Sequence, residues 1–231
     1  MRLTLGSGAI LAALAMASLA RAEQAQVQPG EPEELVSFDG EDFVLDAFVL
    51  DAANIYVAWP GSIRVVPRAR GKPRRLGKRL KGPAGLASDG ERLYLAERGT
   101  GARNYADGSI AIIDSKGRCT KIAQNQVGPR YIAVDGTRVY WLTEDSGKGS
   151  LWSCLKTDCS PALLARDIAG PSYLLADATQ LYWGARNQVF SVSKEGGSAV
   201  SLAAISSEAS VVGTPSEDHV IGLAADSTHI Y

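Results

Sequence analysis

Residues able to carry out chemistry are few and widely spaced in this 231-residue chain. The only histidines are His219 and His229, so a catalytic triad or a histidine-based metal site would have to be built near the end of the sequence. The sequence contains no paired-histidine zinc motif, no Gly-rich phosphate loop and no Gly-x-Ser-x-Gly nucleophile motif. This residue content favours binding over catalysis.

An aspartate followed five residues later by a tyrosine recurs at intervals of roughly forty residues. The pairs are Asp51 and Tyr56, Asp89 and Tyr94, Asp135 and Tyr140, Asp177 and Tyr182, and Asp226 and Tyr231. Recurrence in every copy favours a structural role, in which each carboxylate accepts backbone N–H groups of its own turn. The functional alternative is a ring of inward carboxylates that binds a cation, with Ca²⁺ as the candidate, at one mouth of a channel.

The residues around each pair predict strands rather than helices. In the clearest copy, residues 131–134 form a short apolar run typical of a strand covered on both faces. Asp135-Gly136 then suits a tight turn, and residues 138–142 are rich in β-branched and aromatic side chains. A Gly- or Asn-led third strand and a fourth strand complete each unit. We predict an all-β fold: a β-propeller of four-stranded antiparallel blades, with the first strand innermost.

The segment with an apolar strand, an aspartate, a short turn and Tyr-Trp resembles the propeller repeats of the low-density-lipoprotein-receptor (Tyr-Trp-Thr-Asp) type and of related secreted bacterial propellers. The best copies are residues 135–141 and 177–183. The Thr-Asp end of the motif is replaced here, so the contacts of that pair do not carry over. The resemblance implies the fold only, because propellers host binding, scaffolding and unrelated chemistries.

The start of the chain predicts export. Residues 1–22 have the basic start, the short apolar core and the small-x-small cleavage pattern of a signal peptide, and no later segment is apolar enough to span a membrane. We expect a linker over 23–35 and a propeller over 36–231, in a periplasmic or extracellular protein. Its repeats are predicted at about 36–81, 82–127, 128–169, 170–215 and 216–231. The fifth is partial, so it either completes the first blade of a small ring or belongs to an incomplete ring, which the exposed strand edge favours.

Charge is strongly segregated, although the formal net charge is −1. Residues 31–51 contain eight acids and no basic residue, and residues 64–81 have nine basic residues and no acid. One interpretation places the two stretches on neighbouring strands, where they offset each other. The other is a patch that binds a polyanion, formed by Arg68, Arg70, Lys72, Arg74, Arg75, Lys78, Arg79 and Lys81. Outside the cytoplasm, an anionic envelope polymer is expected rather than nucleic acid.

Three cysteines bear on redox chemistry. Cys154 and Cys159 flank a predicted hairpin turn that can bring them within disulfide reach, and export makes oxidation plausible. A metal half-site is the alternative, although no second Cys or His pair completes four ligands. Cys119 has no obvious mate in the sequence, so it is either a buried thiol or an intermolecular link.

Two functions follow. The first is a non-catalytic binding or scaffold module, whose loops of variable length, such as residues 97–108, recognise a protein or an envelope polymer. The second is a propeller-type lyase or lactonase, with a divalent cation held in the channel by carboxylates such as Glu97 and Glu144. The missing catalytic residues favour the first.

Overall fold

The architecture is entirely built from antiparallel sheets. The computed structural model describes residues 47–69 and 71–204, together with Leu223 and Ile230. In these residues sixteen strands form four separate four-stranded sheets, and the helical content is one short 3-10 turn, Gly101–Arg103. The predicted all-β fold of four-stranded antiparallel blades is thereby confirmed.

In every blade the strands follow chain order across the sheet. Blade 1 consists of β1 (Phe48–Leu50), β2 (Asn54–Trp59), β3 (Ser62–Pro67) and β4 (Arg74–Leu76). Blade 2 consists of β5 (Pro83–Ser88), β6 (Leu93–Glu97), β7 (Gly108–Ile113) and β8 (Cys119–Gln126).

The next two sheets repeat the same meander. Blade 3 consists of β9 (Pro129–Val134), β10 (Arg138–Asp145), β11 (Lys148–Leu155) and β12 (Ala162–Ala169). Blade 4 consists of β13 (Pro171–Ala176), β14 (Gln180–Ala185), β15 (Gln188–Ser193) and β16 (Val200–Ala204). The first strands of neighbouring blades pack against one another, β1 on β5, β5 on β9 and β9 on β13, so they lie innermost, as predicted. Within the described residues the ring is not closed.

The hydrophobic core consists of three clusters, one at each interface between consecutive blades. Ile63 and Val65 of blade 1 pack with Leu95 of blade 2, and all three are fully buried. Trp141 fills the second interface and Trp183 the third. Both faces of a middle blade are therefore covered, which is why the inner strand β6 of blade 2 is buried throughout, whereas the rim strand β8 of the same blade is mostly exposed.

A Gly-Pro pair begins each of the last three blades. Pro83, Pro129 and Pro171 are the first residues of β5, β9 and β13, a strand position that needs no N–H donor. The preceding glycines have φ values of 55° to 64°. The carbonyl of each accepts the N–H at the end of the second strand of its own blade, at 2.7, 3.0 and 3.2 Å. The glycines thus provide a left-handed turn that few other residues adopt.

Several sequence predictions lie outside the described residues. They are the signal peptide over 1–22, the linker over 23–35, the acidic stretch before residue 47, Arg70, His219, His229, and the fifth repeat with Asp226. Among the residues that the structure describes, no helix has the length and apolar character needed to cross a membrane.

The close backbone approach at Gly128 gives a stability prediction. A Cβ at this position would overlap the carbonyl oxygen of Glu144, and its φ of 55° is left-handed. Gly61 has a similar φ of 68° but open space around a built Cβ. We expect Gly128→Ala to lower the free energy of unfolding by about 2 kcal/mol more than Gly61→Ala, as measured by urea denaturation. Equal destabilisation by the two changes would show that only backbone strain matters at Gly128.

Candidate functional site

Each described Asp–Tyr pair closes the turn between the first two strands of its blade. The aspartate Oδ1 accepts the backbone N–H groups two and three residues later, at 2.7–3.1 Å. Its Oδ2 accepts the tyrosine hydroxyl at 2.7–2.9 Å. The spacing of five residues therefore places the phenol on the second strand, facing back to the turn. The four pairs have one shared geometry.

A lysine from the following blade completes two of these pairs. Lys156 of blade 3 donates to Asp89 Oδ2 of blade 2 at 2.6 Å, and its Nζ lies 4.9 Å from the ring centroid of Tyr94. We call this set an Asp–Tyr–Lys triad. The second is Asp135, Tyr140 and Lys194, with an Nζ to Oδ2 distance of 2.7 Å and an Nζ to ring distance of 5.6 Å. Both lysine side chains are 10% exposed, so each triad is largely shielded from water.

The triads fix the charge states of their members. Burial alone would raise the pKa of Asp135, but hydrogen bonds from Lys194 and from the N–H groups of Thr137 and Arg138 outweigh it and hold that pKa below its usual range. Burial and the hydrogen bond to Asp135 raise the pKa of Tyr140 well above its usual range. The pKa values of the other described pairs shift in the same directions. Each pair therefore combines an ionised carboxylate with a neutral phenol.

The sequence prediction identified the aspartates and tyrosines but missed the lysines. Lys156 and Lys194 directly follow the third strand of their blades, and their N–H groups bond to the carbonyls of Thr137 and Thr179 at 2.9 and 3.0 Å. Arg68 has the same position in blade 1, where its N–H bonds to the carbonyl of Ala53. A basic residue just after the third strand was thus the available signal.

The structure does not bring Glu97 and Glu144 together as channel ligands. Glu97 is 2% exposed; its Oε1 accepts the N–H of Lys81 at 2.9 Å, and its Oε2 accepts the hydroxyl of Ser109 at 2.6 Å. Lys121 Nζ is 3.2 Å from the same Oε2. The Glu144 carboxylate pairs instead with the guanidinium of Arg130 at 2.8 Å. Both carboxylates thus bind cations of the protein itself.

A cavity of about 450 Å³ lies among the four innermost strands. Phe48, Arg130, Tyr131 and Tyr173 contribute to its lining, and the rings of the two tyrosines are 5.8 Å apart. Its described lining has a guanidinium and no carboxylate. Elsewhere in the described residues, no group of three His, Cys, Asp or Glu side chains is arranged to hold a metal ion.

The predicted basic patch lies on blade 1 and the segment that leads to blade 2. Its described members are exposed, and we call them the basic strip: Arg68, Lys72, Arg74, Arg75, Lys78, Arg79 and Lys81. Lys81 pairs with Asp107 at 2.9 Å, and the guanidinium of Arg68 donates to the carbonyl oxygen of Asp51 at 3.1 Å. The other five members form no ion pair with any described residue.

Cys154 and Cys159 form a disulfide across the turn between β11 and β12. Cys119, at the start of the rim strand β8, is a free cysteine in an exposed position. Partial burial of its thiol group, although the residue as a whole is exposed, and the nearby Glu97 carboxylate raise the pKa of Cys119.

Comparison with known proteins supports the fold. No family model and no curated protein matches the chain. A chain of a nidogen/laminin complex matches with a TM-score of 0.62 and 17% identity, over 78% of this chain and 66% of that one. A protein described as a putative gluconolactonase matches with a TM-score of 0.52 and 11% identity, over 66% and 60% of the two chains. A luciferin-regenerating enzyme matches with a TM-score of 0.54 and 11% identity, over 71% and 63%.

These neighbours share the β-propeller fold, and the nidogen/laminin match is of the low-density-lipoprotein-receptor type that the repeats resemble. This chain spans less than two thirds of the length of each of the three. At such low identity, the comparison establishes the fold alone.

The triads predict a pH dependence of stability. Because the folded pKa of Asp135 is depressed, its contribution is complete above the unfolded pKa of about 4 and is lost as the pH falls below that value. We expect Lys194→Met to cost about 1–3 kcal/mol at neutral pH and to weaken the loss of stability in acid. The measurement is urea denaturation between pH 2 and pH 7, with Lys116→Met, an exposed lysine, as the control. Superimposable profiles of the two variants would contradict the role of the triad.

Proposed function

We propose that the protein is a non-catalytic binding module of the cell envelope or extracellular space, and that its ligand is an anionic polymer bound along the basic strip. The fold is compatible with such a role, since the match from a nidogen/laminin complex is a propeller that takes part in a protein assembly. The observation that carries the proposal is the excess of exposed positive charge in blade 1.

Five members of the strip form no ion pair in the described part of the chain. Lys72, Arg74, Arg75, Lys78 and Arg79 are all exposed and occur within eight consecutive residues. Exposed basic side chains outside the strip are spread along the chain instead, as at Arg103, Lys148 and Arg166. A concentration of unpaired like charge creates a positive potential that attracts anions.

The geometry of the strip suits an extended ligand. β4 is the edge strand of its sheet, so Arg74 and Arg75 lie at the rim of the blade, paired with Val65 and Arg64 of β3. Successive side chains of a strand point to opposite faces, and these two guanidinium groups therefore present charge on both sides of the edge. A flexible polymer with regularly spaced negative groups can follow such a row, whereas a small anion would contact only one or two of its members.

The compartment narrows the ligand class. The disulfide of Cys154 and Cys159 fits an oxidising compartment. The predicted signal peptide would direct the protein to such a compartment. Polyanions that an exported protein meets there are envelope polymers rather than nucleic acid.

A lyase or lactonase activity is the alternative, and two of the structural neighbours are described as enzymes. It would need a divalent cation held by carboxylates, but Glu97 and Glu144 are already bound to Lys121 and Arg130. A melting temperature lowered by EDTA would support this alternative, and an unchanged one would favour the binding module.

The proposal predicts a salt-dependent affinity for polyanions. We expect the protein to bind inorganic polyphosphate, and the combined changes Lys72→Gln, Arg74→Gln, Arg75→Gln and Lys78→Gln to raise the Kd at least about tenfold at low salt. The slope of log K against log salt should become shallower by about 0.7–0.9 for each phosphate group that is no longer bound, as for nucleic-acid backbones. Fluorescence anisotropy of labelled polyphosphate measures both, and dextran sulfate serves as a second polyanion.

A matched variant controls for net charge. It replaces four exposed basic residues outside the strip, Arg103, Lys116, Lys148 and Arg166, with glutamine. At about 0.15 M salt we expect its affinity to change less than about threefold, because charges more than about 8 Å from the ligand are largely screened there. If both variants bind polyphosphate equally weakly, binding follows net charge and the basic strip is not a site.

A further inference from the structure

The Asp–Tyr pair of blade 1 lacks the lysine that completes the next two pairs. Asp51 Oδ1 accepts two N–H groups at 2.7 Å, and its Oδ2 accepts the Tyr56 hydroxyl at 2.8 Å, as in the other copies. No side chain of a described lysine or arginine bonds to this carboxylate. Arg68 is near, but its guanidinium donates to the backbone carbonyl of Asp51 instead. The pair therefore has the geometry of a triad without its third member.

The register of blade 2 shows which residue replaces the lysine. In blades 3 and 4, the lysine lies opposite the residue two positions after the aspartate of its own blade. In blade 2, Leu93 pairs with Ile113, and continuing this register places Ser115 opposite Glu91, two residues after Asp89. By this register Ser115, in the turn that follows β7, corresponds to the lysine position at the interface with blade 1, and it is exposed.

A cavity of about 150 Å³ lies at this interface. Asp51, Tyr56 and Ser115 line it, as do the apolar side chains of Leu76, Leu93 and Ile113. The cavity thus combines one carboxylate–phenol pair with an apolar wall.

The charged groups around this cavity nearly balance, so the Asp51–Tyr56 pair itself is the feature that favours a cation. They are the carboxylates of Asp51, Glu91 and Asp114 and the guanidinium groups of Arg74 and Arg92. Of these, Asp114 also pairs with Arg118 outside the cavity.

We propose that this cavity binds a primary alkylammonium group, as carried by a lysine side chain or a free aliphatic amine. Its nitrogen would donate a hydrogen bond to Asp51 Oδ2 and lie beside the Tyr56 ring, as Lys156 and Lys194 do beside Tyr94 and Tyr140. Its alkyl chain would contact the apolar wall. A quaternary ammonium ion has no N–H to donate and is therefore rejected.

Thermal unfolding of the wild-type protein tests this site. We expect n-butylammonium chloride to raise the Tm relative to tetramethylammonium chloride at the same concentration, since a ligand of the folded state stabilises it. Ser115→Lys supplies the ammonium from within the chain, so it should raise the Tm by about 2–4 °C and remove the response to n-butylammonium. Ser115→Gln, of similar length but neutral, should do neither.

A second variant shows that the assay detects such a site. Lys194→Ala removes the ammonium from the triad of Asp135 and Tyr140, and we expect n-butylammonium to restore part of the lowered Tm. If it rescues Lys194→Ala but leaves the wild-type protein at the tetramethylammonium value, the proposed site is overturned. Equal stabilisation by Ser115→Gln and Ser115→Lys would also overturn it.

The source of the ammonium is distinguished with Nα-acetyl-lysine N-methylamide. A larger Tm response to this compound than to n-butylammonium assigns the site to a lysine of a protein partner. An equal or smaller response assigns it to a free amine. Both compounds should have no effect on Ser115→Lys.

Discussion

A single carboxylate in the first turn of each blade constrains most of this fold. It accepts two backbone N–H groups that shape the turn and the hydroxyl of a tyrosine on the second strand. In two cases it also accepts the ammonium of a lysine from the next blade. Local chain reversal, strand pairing and contact between blades therefore meet at one group, which remains charged because these donors outweigh its burial.

The repeating unit was predictable because its signals are local. The turn of Asp135 and the phenol of Tyr140 lie within five residues of the groups that they bond to, so periodicity alone located them. The lysines of the triads were not predictable, because Lys156 and Lys194 bond to aspartates 67 and 59 residues away. Only the order of the blades brings them together.

The two glutamates expected to hold a cation in the channel were also mispredicted because their partners are distant in sequence. Glu97 and Glu144 are acidic residues near the ends of second strands, and their sequence context gives no indication of a nearby cation. In the fold, Lys121 comes from β8 on the rim of the same blade, and Arg130 from the innermost strand β9. Side-chain pairing across a sheet decides whether such a carboxylate is available to a ligand.

The interfaces between blades are chemically unequal. The second and third each contain a large buried Trp and a triad, whereas the first has neither and leaves a cavity beside Asp51. Blade 1 also has the basic strip. Both proposed ligand sites thus belong to the blade in which the repeated pattern is least complete, while the later blades supply a regular frame.

A double-mutant cycle of Asp135→Asn and Lys194→Met measures most directly whether the triad joins the blades. If the carboxylate and the ammonium stabilise the fold through each other, the free energies of unfolding at neutral pH should deviate from additivity by about 1–3 kcal/mol. Destabilisations that simply add in the double variant would contradict this, and would show that turn and lysine act independently.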